Sequence, residues 1–157
     1  MRVHVRAALA ALGILMGAVS LAEAQTIRPH IGPRLSYDFD AEEFGIGAQA
    51  GIPLGQRFEL YPSIDYFFVD PGSLWAFNAD LKYRIAYEKA AWLYVGTGLN
   101  LETASFNDNS ETDPGLNLMV GAEPLHNWIH PFGEARLKLA DRTAFQLMAG
   151  LNITLRM

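Results

Sequence analysis

The sequence contains no cysteine and only one long uncharged apolar run among its 157 residues. Without cysteine, neither a disulfide framework nor a thiolate metal site can form. The apolar run, residues 7–21, has about 15 residues, fewer than the roughly 20 that a membrane-spanning helix requires. Helices are therefore not expected to carry the chain into a bilayer, and its stability must come from a core or from a membrane.

The start of the chain has the composition of a cleavable export signal. Arg2 and Arg6 precede the apolar run, and Ala22 and Ala24 place small residues where a signal peptidase reads them. We therefore predict a signal peptide at residues 1–24, followed by a single mature domain at 25–157.

Basic residues are in the minority. Removing Arg2, Arg6 and Glu23 with the signal changes the net charge from −5 to −6. An acidic chain lacks the basic patch that nucleic-acid binding normally requires, so no nucleic-acid partner is expected.

Turn-forming residues recur at regular intervals along the mature chain. They cluster at residues 38–43, 54–57, 70–73, 88–90, 102–115, 123–127 and 140–143. These clusters separate eight segments of about 10 to 14 residues, the length of a tilted strand that crosses a bilayer. No residues remain for a plug or a second globular domain.

The segments alternate apolar and polar residues, as β-strands with unlike surroundings on their two faces do. One face of residues 73–87 carries Trp75, Phe77, Ala79, Leu81, Tyr83, Ile85 and Tyr87. The other face carries Asn78, Asp80, Lys82 and Arg84. The same pattern recurs in the first, third and last segments.

Alternation fits a soluble sandwich as well as a membrane barrel, but two features favour the barrel. The first and last segments lack the lysines that blunt the edges of open sheets. The polar face also carries glycines, which leave room for long side chains from other strands: Gly45, Gly47, Gly51, Gly96, Gly98, Gly121 and Gly150. The sequence therefore predicts an all-β fold, an eight-stranded antiparallel up-and-down transmembrane β-barrel with a filled lumen.

Charged side chains on the polar face are predicted to form a structural network in this lumen. Its members are Arg28, His30, Arg34, Glu59, Asp65, Asp80, Lys82, Arg84, Glu134 and Arg136. A four-residue turn at 70–73 would pair Val69 with Leu74 and place Glu59 opposite Arg84; a shift of two residues would place Glu59 opposite Lys82. Arg84 is also expected to contact Trp92 or Tyr94 through a cation–π interaction.

Aromatic and proline residues bear on the same prediction. Two aromatic girdles are expected, one with Tyr37, Phe39, Phe44, Phe68, Trp75 and Phe77 and one with Phe58, Tyr83 and Tyr87. Pro33, Pro62 and Pro131 fall inside predicted strands, where each removes a ladder hydrogen bond. Bulges or short pairing near one rim are expected to accommodate them.

This arrangement resembles the small outer-membrane β-barrel family typified by the membrane domain of OmpA and by OmpX. The leader, the eight alternating segments, one long loop and a last strand at 143–155 carry the resemblance. The stretch from Pro131 to Lys138 resembles a strand common in the family, although the chain ends in Met157 where the family usually has an aromatic residue. The resemblance implies periplasmic termini, short periplasmic turns and longer external loops.

Catalysis and metal binding are the less favoured hypotheses. A hydrolase or acyltransferase needs a histidine, a serine and a carboxylate in contact. His30, Ser36 and Asp38 share a face but lie too far apart, His130 is displaced from Glu134, and His126 falls in a turn. The His-x-Ser arrangement of lipid A deacylase barrels is absent.

The long loop carries four carboxylates but no dedicated calcium motif: Glu102, Asp108, Glu111 and Asp113. They could bind calcium or be bridged through divalent ions to lipopolysaccharide phosphates. A solvated acidic loop is the favoured interpretation.

We therefore predict a monomeric, non-enzymatic barrel of the Gram-negative outer membrane, with an envelope-structural or surface-interaction role. It needs no cofactor, and its partners are outer-membrane lipid and lipopolysaccharide. The alternatives are a lipid A-modifying enzyme, a narrow porin-like pore and a soluble exported ligand-binding barrel. Mixed charges in a narrow lumen more often pair than conduct, which disfavours the pore.

Overall fold

The computed structural model describes residues 28–87, 91–106, 109–124 and 128–155, so the predicted signal peptide lies outside the described residues. The strands are β1 (His30–Asp38), β2 (Glu43–Pro53), β3 (Phe58–Phe67), β4 (Ser73–Tyr87), β5 (Ala91–Phe106), β6 (Asn109–Pro124), β7 (Ile129–Leu139) and β8 (Ala144–Thr154). Each pairs antiparallel with the next, and β1 pairs with β8, which closes the barrel. The predicted fold is confirmed. Within the described ranges, no helix is long and apolar enough to cross a membrane.

The barrel has two ends, which differ in their connections. The hairpin end carries the β1–β2, β3–β4, β5–β6 and β7–β8 connections, and the terminal end carries the β2–β3 connection and the first and last described residues. At the hairpin end, Asp38 accepts hydrogen bonds from the backbone N–H groups of Asp40 and Ala41 at 2.9 and 3.0 Å. Such local bonds are the reason that aspartate favours turns.

The prediction of a long loop at residues 102–115 was wrong. Apart from two residues outside the described part, the whole range is strand, with Thr103 opposite Thr112 and Ser105 opposite Ser110. The two threonine hydroxyl oxygens lie 3.0 Å apart. Polar residues that favour turns individually become a strand pair here because their side chains meet across the two strands.

The β5–β6 hairpin rises beyond its neighbour β7. The ladder between β6 and β7 reaches only to Leu116 opposite Leu139, whereas β5 and β6 pair as far as Phe106 and Asn109. Residues 109–114 therefore have no strand partner on the β7 side in the described structure. We call residues 102–106 and 109–114 the protruding hairpin.

The register of β3 and β4 is the second of the two that the sequence allowed. Glu59 lies opposite Lys82 rather than Arg84, and Phe67 pairs with Leu74. The first register, which paired Val69 with Leu74, was wrong.

The β3–β4 connection is longer than the predicted four-residue turn, which explains this register. It spans residues 68–72, and Gly72 has a φ of 126°. A Cβ at Gly72 would lie 2.6 Å from the ring of Phe106. Glycine therefore allows both the left-handed backbone and the contact with the protruding hairpin.

Short pairing accommodates the three strand prolines, Pro33, Pro62 and Pro131. Each keeps a register partner in one neighbouring strand. In the other neighbour, the ladder is interrupted at Pro33 and Pro62 and has ended before Pro131. A strand residue directs its N–H and C=O toward one neighbour, so a proline is tolerated where that neighbour is not paired.

The strands present opposite chemistry on their two faces. Large apolar side chains point outward, and Leu99 is 63% exposed. Charged and amide side chains point inward, and Asp80 and Asn117 are fully buried. This distribution inverts that of a soluble protein, and it is expected where the outer face meets lipid.

Inward-facing glycines make room for these polar side chains. A Cβ at Gly47 would lie 2.2 Å from a carboxylate oxygen of Asp65, and one at Gly98 would lie 2.2 Å from a carboxylate oxygen of Asp80. The lumen is therefore filled by long side chains opposite positions that have none.

Candidate functional site

A continuous set of hydrogen bonds crosses the middle of the lumen, and we call it the central network. Its members are Arg34, Ser36, Asp65, Asn78, Asp80, Lys82, Tyr94, Asn100, Asn117, Glu134 and Arg136. On the β1 side, Arg34 donates to Asp65 from Nε at 2.6 Å and also from Nη2. Ser36 donates to the same carboxylate at 3.2 Å. This two-pronged arginine–carboxylate contact fixes β1 to β3 across the lumen.

Asparagine side chains connect this ion pair to the next one. Asn78 donates to Asp65 at 3.3 Å and accepts 2.8 Å bonds from both Asn100 and Asn117. Asn117 also donates to Asp80 at 2.9 Å. The amides, which donate and accept at once, therefore link β3, β4, β5 and β6 without adding charge.

The β7 side of the network holds the densest charges. Arg136 binds Asp80 at 2.7 Å and Glu134 at 2.9 Å. Glu134 also contacts Lys82 at 2.8 Å and accepts a 2.9 Å bond from the Tyr94 hydroxyl. Each buried charge here therefore has an opposite charge within reach, as burial away from water demands.

A second group of polar side chains lies toward the terminal end. Glu59 binds Arg84 at 3.1 Å, although the two are not register partners, because neighbours diagonal in the ladder are within reach. The Arg84 guanidinium lies 3.3 Å from the centre of the Trp92 ring, which confirms the predicted cation–π contact. His30 Nε2 lies 3.4 Å from a Glu59 carboxylate oxygen.

A third group lies at the hairpin end. Lys138 contacts both carboxylate oxygens of Glu102 at 2.7 Å, and Gln146 donates to Asp38 at 2.9 Å. Paired side chains thus occupy the lumen at both ends as well as in the middle. This arrangement favours a filled interior over a water-filled passage.

The structure brings nine of the ten sequence-predicted network residues into the lumen. Arg34, Asp65, Asp80, Lys82, Glu134 and Arg136 lie in the central network, and His30, Glu59 and Arg84 lie toward the terminal end. Arg28 differs, because it precedes β1 and its side chain is exposed.

The predicted network contained no amide side chains, although Asn78 had been assigned to the polar face of its segment. Asn78, Asn100, Asn117 and Asn152 are buried in the lumen, and Tyr61 donates to Asn152 at 2.9 Å. The available signal was strand alternation. Asn78, Asn100 and Asn117 fall on the same face as charged residues of their strands, and Asn152 falls on the same face as Gln146, because β8 has no charged residue. Only the closed barrel shows which of these amides meet across the lumen.

The histidines do not form a catalytic group among the described residues. His130 Nε2 lies 3.2 Å from the Thr154 hydroxyl, but His130 Nδ1 has no hydrogen-bond partner there. Ser36 is bonded to Asp65 rather than to a histidine. A nucleophile–base pair requires a third group to orient the base. His130 has a hydroxyl beside it but no such group, and His30 has the Glu59 carboxylate beside it but no hydroxyl bonded to its ring among the described residues. His126 lies outside the described residues.

The predicted acidic loop does not converge on a cation site. Glu102 is paired with Lys138, whereas Glu111 and Asp113 are exposed on the protruding hairpin. No group of three or more metal-ligating side chains is assembled in the described part of the chain. Asp108 lies outside it.

Aromatic side chains mark both rims of the outer surface. At the hairpin end, Tyr37 packs against Phe39 and Phe44 with ring centres 4.8 and 4.6 Å apart. At the terminal end, Phe58 and Tyr83 lie 5.1 Å apart. Aromatic rings in these places are typical of the two interfaces of a bilayer.

The closed sheet, the apolar outer band and the charge-paired lumen together define an eight-stranded antiparallel transmembrane β-barrel. Solved outer-membrane barrels share this fold.

The N-terminal β-barrel domain of Pseudomonas aeruginosa OprF superposes with a TM-score of 0.70 at 14% identity, covering 81% of this chain and 96% of that one. Neisserial surface protein A superposes with a TM-score of 0.59 at 13% identity, covering 82% and 95%. Ail, the attachment invasion locus protein of Yersinia pestis, gives 0.57 at 15% identity, covering 82% and 97%. No protein-family model matches the chain, and no curated protein matches it by sequence. The likeness is therefore one of fold.

Proposed function

We propose that the mature chain is a monomeric, non-enzymatic protein of the bacterial outer membrane that contacts other molecules through its protruding hairpin. The filled lumen supports a scaffold role for the barrel, because paired charged side chains occupy the space that a channel or a binding cavity would need. Outer-membrane lipid and lipopolysaccharide surround the apolar band. The solved barrels of the same fold support this location.

The protruding hairpin is the single observation that carries the proposed surface role. Residues 109–114 are exposed along the whole stretch and have no strand partner on the β7 side in the described structure. Alternate residues of such an edge offer backbone N–H and C=O groups to another chain. The other described connections at this end are short turns, which offer little contact surface.

The charge of the hairpin end narrows the class of partner. The exposed charged residues described there are Asp40, Glu42, Asp70, Glu111, Asp113, Asp141 and Arg142. Ail of Yersinia pestis has been crystallised with a heparin analogue, sucrose octasulfate, which is a polyanion. This chain presents mainly negative charge, so we expect cationic or neutral protein surfaces, and no binding of sucrose octasulfate.

Single cysteines test the location and orientation, because the chain has no cysteine of its own. Ser110→Cys on the protruding hairpin should react with a membrane-impermeant maleimide on intact cells. Gln56→Cys, exposed in the β2–β3 connection at the terminal end, is the matched control and should react only after the outer membrane is permeabilised. Equal labelling of both variants in intact cells would contradict the proposed orientation.

A shortened hairpin tests the surface role. Since Glu102 lies opposite Asp113, an Asn-Gly turn can replace residues 103–112 and keep the β5–β6 ladder up to that pair. The deletion also removes the ladder partners of Ser73, Leu74 and Trp75, so heat-modifiable mobility in unboiled gels must first show that the shortened barrel is folded. Binding of cationic matrix and serum proteins to barrels in nanodiscs should fall at least about tenfold, a loss of about 1.4 kcal/mol. The matched control, Glu111→Gln with Asp113→Asn, separates charge from backbone pairing. If the shortened barrel bound as well as the unmodified one, the hairpin would not be the contact surface.

The enzyme alternative has its own measurement. Lipid A from cells with and without the protein should give the same mass spectrum, because neither lumenal histidine has both a hydroxyl and a carboxylate in contact with it. A reproducible mass change that His130→Ala abolished would replace the proposed role with an enzymatic one.

A further inference from the structure

Two buried side chains meet near the terminal end of the lumen, each with a polar atom that has no hydrogen-bond partner. His30 on β1 and Glu59 on β3 are 5% and 2% exposed. The facing atoms, His30 Nε2 and Glu59 Oε1, lie 3.4 Å apart, and neither is hydrogen-bonded within the described part of the chain. Buried polar atoms are nearly always satisfied in native proteins, so a facing pair of this kind points to a ligand.

The other polar atom of each side chain is held in place. The ring of His30 is hydrogen-bonded to the backbone of Arg28, and the nitrogen involved is Nδ1, because Nε2 has no such bond. Glu59 accepts a 3.1 Å bond from Arg84 through its other carboxylate oxygen. A neutral His30 therefore turns the lone pair of Nε2 toward a carboxylate oxygen. Two acceptors that face each other repel unless a positive charge lies between them.

The separation of the two atoms fits two ligands of one metal ion. Zinc binds histidine nitrogen at about 2.0–2.1 Å and carboxylate oxygen at about 2.0–2.2 Å, so tetrahedral geometry places two such donors about 3.3–3.5 Å apart. A ligating histidine commonly donates its other ring N–H to a backbone carbonyl, and a ligating carboxylate is commonly hydrogen-bonded as well. His30 and Glu59 have both features.

The charge around the pair also favours a bound cation. Cationic side chains and carboxylates are equal in number in the central network. Toward the terminal end, one buried guanidinium, that of Arg84, faces two buried carboxylates, those of Glu59 and Glu123, among the residues that the structure describes. Lys82 also acts on His30, but its charge is already paired with Glu134. With a neutral His30, this part of the lumen therefore has an excess of negative charge.

Gly51 of β2 allows the two side chains to approach each other. It is the register partner of His30, and a Cβ at this position would lie 2.2 Å from His30 Nε2 and 2.4 Å from Glu59 Oε1. Any other residue at position 51 would push the two atoms apart.

We propose that His30 Nε2 and Glu59 Oε1 bind one divalent transition-metal ion of the zinc type. Water completes its coordination, because no group of three metal-ligating side chains is assembled in the described ranges. The ion joins β1 to β3 across β2 near the terminal end, as the Arg34–Asp65 contact does in the middle of the lumen. Because the site needs the folded barrel, binding stabilises the fold.

Calorimetric titration of the tag-free mature barrel in detergent micelles with Zn²⁺ at neutral pH tests this site. One ion should bind to the unmodified barrel and to the matched control His130→Gln, since His130 contacts a threonine hydroxyl rather than a carboxylate. His30→Gln and Glu59→Gln should each weaken binding at least about tenfold, once heat-modifiable mobility has shown that they are folded. Zn²⁺ should also raise the denaturant midpoint of the unmodified barrel but not that of His30→Gln.

A second measurement needs no variant. Zn²⁺ should shift the ¹⁵N resonance of His30 Nε2 in the unmodified barrel, because coordination engages its lone pair. Absence of stoichiometric binding, or equal binding by His30→Gln and the unmodified barrel, would overturn the proposal. A resonance that keeps a proton on Nε2 after Zn²⁺ is added would also overturn it, since the pair would then share a proton rather than a metal ion.

Discussion

The central network and the protruding hairpin are both built from polar side chains, but they use them in opposite ways. In the network, side chains such as Asp80 and Arg136 are buried and bonded to one another. In the hairpin, Thr103 and Thr112 pair in an exposed strand, and Glu111 points into solvent. The same chemistry therefore holds the barrel together in one region and remains open to other molecules in the second. Substitutions in the two regions should differ accordingly.

Arg136→Ala should have the largest effect, because it removes the partner that Asp80 and Glu134 share. Uncompensated buried charge typically costs about 3–5 kcal/mol of unfolding free energy. Denaturant unfolding of the barrel in lipid vesicles, followed by tryptophan fluorescence, measures the loss. Arg57→Ala, at an exposed basic residue bonded to Tyr83, is the control and should change stability by less than about 0.5 kcal/mol. Equal losses in both variants would mean that the network contributes no special stability.

Leu81→Arg should have the second largest effect. Leu81 faces outward in β4, directly between the inward-facing Asp80 and Lys82. A charge on the lipid side near the middle of the bilayer should cost about 2–4 kcal/mol, although charge is abundant one residue away on the other side. The same unfolding assay measures it, and a change below about 0.5 kcal/mol would argue against a lipid-facing position.

Gly47→Ala should have an intermediate effect. The added Cβ would lie 2.2 Å from the Asp65 carboxylate and 2.4 Å from the Ile64 carbonyl oxygen, so the Arg34–Asp65 contact must shift. Crowding of this kind costs about 1–3 kcal/mol. The matched control is Gly133→Ala, where nothing lies within 4 Å of the added atom. A loss for Gly133→Ala as large as for Gly47→Ala would show that the effect does not come from the lumen.

Thr112→Ala should have the smallest effect. It removes a hydroxyl pair on an exposed hairpin, and such surface changes usually stay within about 0.5 kcal/mol. The unfolding assay would then give an unchanged midpoint within error. A loss above about 1 kcal/mol would place the hairpin among the elements that stabilise the barrel, rather than among those that only extend from it.

The sequence predicted most of the fold because period-two alternation is a local signal. The segment around Trp75 and Lys82 shows this alternation clearly. The inward orientation of residues such as Asp65 and Arg136 can be predicted from the alternation within their own strands. The parts of β5 and β6 that form the protruding hairpin were not predicted as strands, because serine, threonine, aspartate and glutamate individually favour turns. Their strand form depends on pairing with each other, which no single segment reveals.

The site was harder to predict than the fold, for a geometric reason. Parity says which face a side chain occupies, but contacts across the lumen depend on how the whole sheet tilts and closes. Arg136 reaches Asp80 on a strand that is not its ladder neighbour, and Asn117 reaches Asn78 in the same way. Glu59 and Arg84 were expected to be register partners, and in the structure they are diagonal neighbours that still form an ion pair.

The ladder between β1 and β8 has a consequence for how fast the molecule forms. Ile31 pairs with Ile153, almost the full length of the described chain away, and the same ladder is interrupted at Pro33. Contacts between such distant residues require a large closure entropy before they give any stabilisation, which slows folding. Until this seam forms, two strand edges stay open to other chains. The step that completes the barrel is therefore also the step that ends its exposure to aggregation.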